Sequence, residues 1–332
     1  MGKLNFVDEQ NQVVFAESRQ WQIASDVDTC VAIGSGTWST TTNWSGCTTG
    51  GAHYPGQLAT GDIVSIPDGK NMSLDVNPAK SVGNITVTTA SGNGASLSFG
   101  ASKILTSTGT LTVSITAGAG GAASFNVGSG QFNGAIVNVT GVSGGGTTSM
   151  GVSTGGTITL TGALTVAANG AGVTSLTVGA GTFNGTSATI GGTGNGGDSI
   201  TLGAGGNISL TGNLTIGNTG NVSHALSASG GTITVAGNIV FQNTAANAQL
   251  TFSGSPTLNV GGNMGTGGTF VQSTSTVNFY SGSATSTVAN YTYYNFTATP
   301  GKTLTFANST TTTISHALTL NGQSCESPII LK

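Results

Sequence analysis

Charge is what this sequence has least of. Of 332 residues only 17 are charged, seven Lys or Arg and ten Asp or Glu. That is 5%, where an ordinary soluble domain carries ~25%. Seven cations on a chain of net charge −3 exclude a nucleic-acid binder, which needs a basic footprint to displace counterions. The same scarcity excludes a charge-rich disordered tail. Six prolines and no three-residue glycine period exclude collagen. Long apolar runs are missing: Val13-Val14-Phe15-Ala16 is typical, and a membrane-spanning helix needs ~20 such residues. The first 30 residues hold Lys3, Asp8, Glu9, Glu17, Arg19, Asp26 and Asp28 without an apolar stretch, so no secretory signal is read there. A removed signal or a fragment is expected, and Pro328-Ile-Ile-Leu-Lys332 reads as the start of a further strand.

What remains charged is unevenly placed. Between Lys103 and Lys302 the one charged residue is Asp198. Solubility there rests on Thr, Ser, Asn and Gly, which weaken helices and give a neutral hydrogen-bonding surface suited to an extracellular or cell-surface location. Three cysteines make an odd count. Cys30 and Cys47 lie 17 apart beside the Trp-rich stretch. A disulfide between them fits an oxidising compartment, the alternative being two reduced thiols. Cys325 is left over for an intermolecular bond or a partner outside this sequence.

The chain repeats. Gly156-Thr-Ile-Thr-Leu-Thr-Gly-Ala-Leu-Thr-Val166 recurs as Gly206-Asn-Ile-Ser-Leu-Thr-Gly-Asn-Leu-Thr-Ile216 and as Gly231-Thr-Ile-Thr-Val-Ala-Gly-Asn-Ile-Val-Phe241. Weaker copies begin at Gly130, Gly181 and Pro256, so the steps are 26, 25, 25, 25 and 25. A second block, such as Ser175-Leu-Thr-Val-Gly179 or Ser199-Ile-Thr-Leu-Gly203, precedes each copy. Every unit therefore holds about three short alternating strands divided by Gly-rich turns. One unit has too little apolar surface to fold alone, so the units must stack.

The fold class is all-β: a parallel β-helix (β-solenoid) of ~25 residues per coil, on the order of 50 Å long at ~4.8 Å per strand. Its inward columns are Phe132, Ile158, Phe183, Ile208, Ile233 and Leu258, and Leu164, Leu214, Ile239 and Met264. Thr157, Thr159, Asn207, Ser209, Thr232 and Thr234 point outward. Gly162, Gly212 and Gly237 mark corners needing positive φ or close backbone approach. The chain divides into an N-terminal cap, residues 1–55, and a solenoid, residues 56–332, with the clearest repeats in 130–266.

The ends carry the aromatics. Trp38 and Trp44 read as a mini-core more than as a carbohydrate platform. In Tyr291-Thr-Tyr-Tyr-Asn-Phe296, alternation places Tyr294 and Phe296 on one face and Tyr291, Tyr293 and Asn295 on the other, as a stacking ladder or as a stripe for sugar contact. Gly36-Thr-Trp-Ser-Thr-Thr-Thr-Asn-Trp44, Pro55-Gly56, Gly61-Asp-Ile-Val-Ser-Ile66 and Leu74-Asp75, followed by Gly-Thr-Leu-Thr-type coils, resemble the head of large secreted bacterial repeat proteins of the autotransporter-passenger and haemagglutinin-like adhesin type. The resemblance covers most of the chain and implies a surface-exposed β-solenoid more firmly than any one activity.

Catalytic constellations are sparse. His53, His224 and His316 are far apart in sequence and form no metal-spaced cluster. His224 and His316 read as exposed polar positions at coil corners. Gly191-Gly-Thr-Gly-Asn-Gly-Gly-Asp198 has its Asp once, so it reads as a Gly-rich corner and not as a stacked calcium turn. A polysaccharide-active β-helix enzyme would need paired carboxylates, and Asp62, Asp68 and Asp75 are its only grouped candidates. The expectation is a non-catalytic structural or adhesive rod with no cofactor and no metal, contacting a glycan or surface through Thr157, Thr159, Thr232, Thr234, Tyr291 and Tyr293, or associating end to end into a fibre. Ice binding through Thr-x-Thr rows is the alternative from another class.

Overall fold

The computed structural model describes residues 27–116, 120–142, 145–217, 222–242, 247–280, 283–322 and 327–332, with the short strands Phe6–Val7 and Val13–Phe15. Cys325 and its expected bond lie outside the described residues. One coil shows how the sequence closes on itself. Thr157–Leu160 lies in a first sheet, Ala163–Ala168 in a second and Val173–Val178 in a third, and Thr182–Gly185 returns to the first. Repetition of this circuit builds three ten-stranded sheets. They are parallel throughout except where Thr29–Ala32 meets Trp44–Ser45. The protein is a β-solenoid, and its only described helical turn is Thr41–Asn43.

Each strand alternates because its neighbours are its own copies: a side chain either meets the same position of the next coil or faces water. Phe132, Ile158, Phe183, Ile208, Ile233 and Leu258 pair in unbroken register in the first sheet, and all are buried. The second sheet stacks Leu164, Ala188, Leu214 and Ile239, and a bridge adds Met264. Both columns match the periodicity of the sequence. Gly162, Gly212 and Gly237 have no left-handed φ; close approach explains them. A Cβ on Gly162 would stand 2.7 Å from the Ala135 carbonyl oxygen, and one on Gly212 2.8 Å from that of Thr186.

An asparagine ladder follows that corner. Asn213 Oδ1 accepts the Asn238 N–H at 2.8 Å, Asn238 Oδ1 accepts the Asn263 N–H at 2.7 Å, and Asn263 Oδ1 accepts the Thr287 N–H at 2.7 Å. Corner amides that no strand can pair are thereby satisfied. The Gly-Asn dipeptides at 212–213, 237–238 and 262–263 were the visible signal.

Beyond residue 257 the coils shorten. Thr257 pairs with Thr276, and Thr276 with Asn295, so the step falls from 25 to 19 residues. The strands keep their register and the turns lose the length. Lys302 fills a corner of this region. Its buried ammonium donates to the carbonyls of Gly261 (2.6 Å), Tyr280 (2.9 Å) and Ser283 (2.5 Å), and burial draws its pKa below the usual lysine value.

The N-terminal region is continuous with the rod. Thr29–Ala32 pairs with Ile63–Ile66, and Gly36–Thr37 with Asn71–Leu74. Trp38 and Trp44 are buried and meet edge to face at 4.9 Å. Their indole N–H groups donate to the carbonyls of Pro55 (3.1 Å) and Trp38 (2.8 Å). They are a mini-core, not an exposed platform.

Candidate functional site

The first sheet carries the most regular surface. Two outward columns run along it side by side. One is Thr157, Thr182, Asn207, Thr232, Thr257, Thr276 and Asn295; the other is Thr159, Asn184, Ser209, Thr234, Asn259, Asn278 and Thr297. Every member is a hydroxyl or carboxamide, and none is charged. Part of the second column is tied together. Asn259 Nδ2 donates to Thr234 Oγ1 (3.2 Å), Asn278 Nδ2 to Asn259 Oδ1 (3.0 Å) and Thr297 Oγ1 to Asn278 Oδ1 (2.9 Å). The bonds hold those side chains in fixed orientations.

The aromatic segment departs from expectation. A register shift between Tyr293 and Asn295 breaks the alternation. Tyr293 and Phe296 both point inward and are buried, whereas Tyr294 and Asn295 both face outward. Tyr293 is therefore not a surface contact: its hydroxyl donates to the Ala289 carbonyl at 2.9 Å, and burial raises its pKa far above the usual tyrosine range. Tyr291 is half-buried, with its hydroxyl on the Gly268 carbonyl at 3.0 Å. The outward-facing aromatic is Tyr294, itself half-buried and stacked on the exposed His316 at 4.6 Å. The step from Tyr293 to Asn295 lies opposite the longer step from Ile314 to Ala317, a bulge in the neighbouring strand that strict alternation cannot foresee.

Two histidines are buried with carboxylates. His224 is not an exposed corner residue. It is wholly buried in the third sheet beside Asp198, with Nδ1 2.8 Å from Asp198 Oδ2. The contact is not aligned as a hydrogen bond, and His224 Nε2 has no partner. Asp198 also accepts from the Ala168 N–H (2.6 Å), the Gly192 N–H (2.8 Å) and the Thr174 hydroxyl. Thr148, Thr174, Asp198 and His224 form one inward polar column. The spacing 198 to 224 is one coil, so the period contained this pairing.

His53 occupies the cap beside the disulfide of Cys30 and Cys47, whose Cα atoms are 4.9 Å apart. Its Nδ1 donates to the Gly51 carbonyl at 2.9 Å. Its Nε2 faces Asp28 Oδ2 at 3.4 Å and Asp62 Oδ2 at 3.7 Å. Asp28 accepts from the Thr48 and Thr49 N–H groups and the Thr49 hydroxyl, at 2.8, 2.9 and 2.6 Å. Partial burial raises its pKa, but the bonds from Thr49 and Thr48 and the nearby His53 outweigh this, and the net shift is downward. Asp62 accepts from the Asp28 N–H at 3.1 Å and the Gly56 N–H at 2.9 Å. Sequence spacing offered no signal for this cluster, because the cap has no period.

The three grouped carboxylates serve three different hydrogen-bond sets. Asp62 belongs to the His53 cluster, Asp68 accepts from Ser91, Thr89 and Asn93, and Asp75 accepts from Ser39 through both its hydroxyl (2.5 Å) and its N–H (2.9 Å). Among the described residues no helix is long and apolar enough to cross a membrane. The chain matches no family model, no curated protein and no solved structure.

Proposed function

We propose that the protein is a non-catalytic structural or adhesive rod, working outside the cell, that holds an extended uncharged partner such as a neutral polysaccharide against the first sheet. The supporting observation is the pair of unbroken Thr/Asn/Ser columns from Thr157 to Thr297. Equivalent weak contacts add along such a face, and side chains already fixed by their own ladder lose little freedom on binding. The non-catalytic reading rests on the fact that Asp198, the one acid of the coils from 104 to 301, is buried and hydrogen-bonded. The resemblance to secreted adhesin-type repeat proteins agrees with this reading.

Retention on a panel of immobilised neutral polysaccharides tests it, with Thr157, Thr159, Thr232 and Thr234 changed together to Val. Retention of the native chain, reduced several-fold in the variant, is expected. No retention, or equal retention of both chains, overturns the proposal. One observation favours ice binding as a second reading: Thr-x-Thr pairs at 157–159 and 232–234 with Thr, Asn and Ser in the rows between. Thermal hysteresis separates the two, since a polysaccharide binder shows none. Electron microscopy at rising concentration shows whether copies stack end to end.

A further inference from the structure

The geometry points to a redox-gated site for a zinc-type divalent cation in the cap, formed by Cys30, Cys47, His53 and a carboxylate of Asp28 or Asp62. The ligand atoms of Cys30, Cys47 and His53 all lie within 4.8 Å of one another. All three residues are buried, His53 to 1% exposure. A carbonyl oxygen can only accept, so the His53 contact with Gly51 fixes the proton on Nδ1 and aims Nε2 into the cluster. This is the arrangement that orients metal-binding imidazoles.

Nε2 has no hydrogen-bond partner, yet two carboxylate oxygens face it at 3.4 and 3.7 Å. A proton does not bridge such gaps well, since charged N–H···O contacts close to ~2.7–2.9 Å. A metal ion does. Tetrahedral zinc with bonds of ~2.0–2.2 Å to nitrogen and oxygen sets those donors ~3.3–3.6 Å apart. Asp62 Oδ2 accepts one described hydrogen bond and Asp28 Oδ2 two, so each has capacity for a further interaction.

In the oxidised chain the sulfurs are bonded to each other and the site is closed. A dithiol reductant opens it: the dithiol becomes a disulfide, and two electrons and two protons pass to Cys30 and Cys47. The cation then displaces both thiol protons, forming two metal–sulfur bonds, with His53 Nε2 and one carboxylate completing four ligands. The cap is thus cross-linked by a covalent bond in an oxidising medium and by a metal in a reducing one.

Titration of the full chain with Co²⁺, with and without prior dithiol reduction, tests this. The reduced chain is expected to take up one Co²⁺ with a tetrahedral thiolate spectrum that Zn²⁺ abolishes, and the oxidised chain none. His53→Gln leaves the disulfide intact and is expected to weaken Co²⁺ uptake by a factor on the order of ten or more. An octahedral spectrum, no uptake by a reduced chain that keeps its β-sheet dichroism, or equal uptake by His53→Gln overturns the proposal. If reduction unfolds the cap, Co²⁺ must restore its tryptophan fluorescence, and failure to do so also overturns it.

Discussion

The cap and the repeat body hold themselves together by different means. From about residue 104 to 266 each side chain is supported by its own copy one coil away, and the same inward column serves coil after coil. Residues 27 to 75 join the sheets through a few strands but carry no sequence repeat between them. There a disulfide, two tryptophans and single carboxylates, each capturing donors from distant parts of the chain, do the tying. Repetition makes stability a sum of similar neighbour terms. The cap instead depends on individual groups, so it should fail at particular residues and under particular chemical conditions.

The two regions can be read separately, because Trp21, Trp38 and Trp44 are all the tryptophan in the chain. Fluorescence reports the cap, and far-ultraviolet dichroism reports mainly the body. The largest effect is expected inside the body, where Asp198→Ala strands the Thr174 hydroxyl and the amides of Ala168 and Gly192. Leaving a buried donor without its acceptor costs about 1–3 kcal/mol, and several donors lose theirs at once, so the dichroism transition in denaturant shifts down and the fluorescence transition stays. Reduction of the Cys30–Cys47 bond without added metal should do the reverse, costing the cap roughly 3 kcal/mol. Equal shifts in both signals would mean that cap and body unfold as one unit.

Asn238→Ala leaves the Asn263 amide without its acceptor and should cost about 1 kcal/mol, read by dichroism. Acid should separate the regions again. Ser91, then Thr89, hold the Asp68 carboxyl below the ordinary value of 3.8. Burial raises that of Asp75, but the two bonds from Ser39 outweigh it and the net shift is downward. A depressed folded pKa gives stability that is present above the unfolded value and lost as pH falls through the folded one. Below about pH 4 the cap should therefore loosen before the body. The smallest effect is expected on the outer face: Thr157→Val and Thr232→Val should each change stability by less than ~0.5 kcal/mol, whatever they do to ligand retention.

The same contrast explains what could be read in advance. The 25-residue period named the inward columns and the outward Thr positions one by one, because a repeat supplies its own comparison. It also held the Asp198–His224 contact, one coil apart, although a lone histidine beside Ser223 reads as a polar corner. Tyr293 was hidden by a break in alternation, with Tyr294 and Asn295 both facing outward, and the 19-residue coils after Thr257 lie outside the period that guided the reading. The pairing of His53 with Asp28 and Asp62 was invisible because nothing in a unique, turn-rich segment says which residues meet.

The shortened coils have a consequence of their own. Between Thr257 and Asn295 about six residues vanish from each turn of the chain while the strands stay in register. The sequence period is therefore free to drift, but the spacing of the rows is not, because backbone hydrogen bonds set it at ~4.8 Å. The molecule is in effect a grating with a fixed pitch and interchangeable lines. Turn lengths can lengthen or contract, and row chemistry can be exchanged between hydroxyl and carboxamide, without altering the interval that anything lying on the surface would measure.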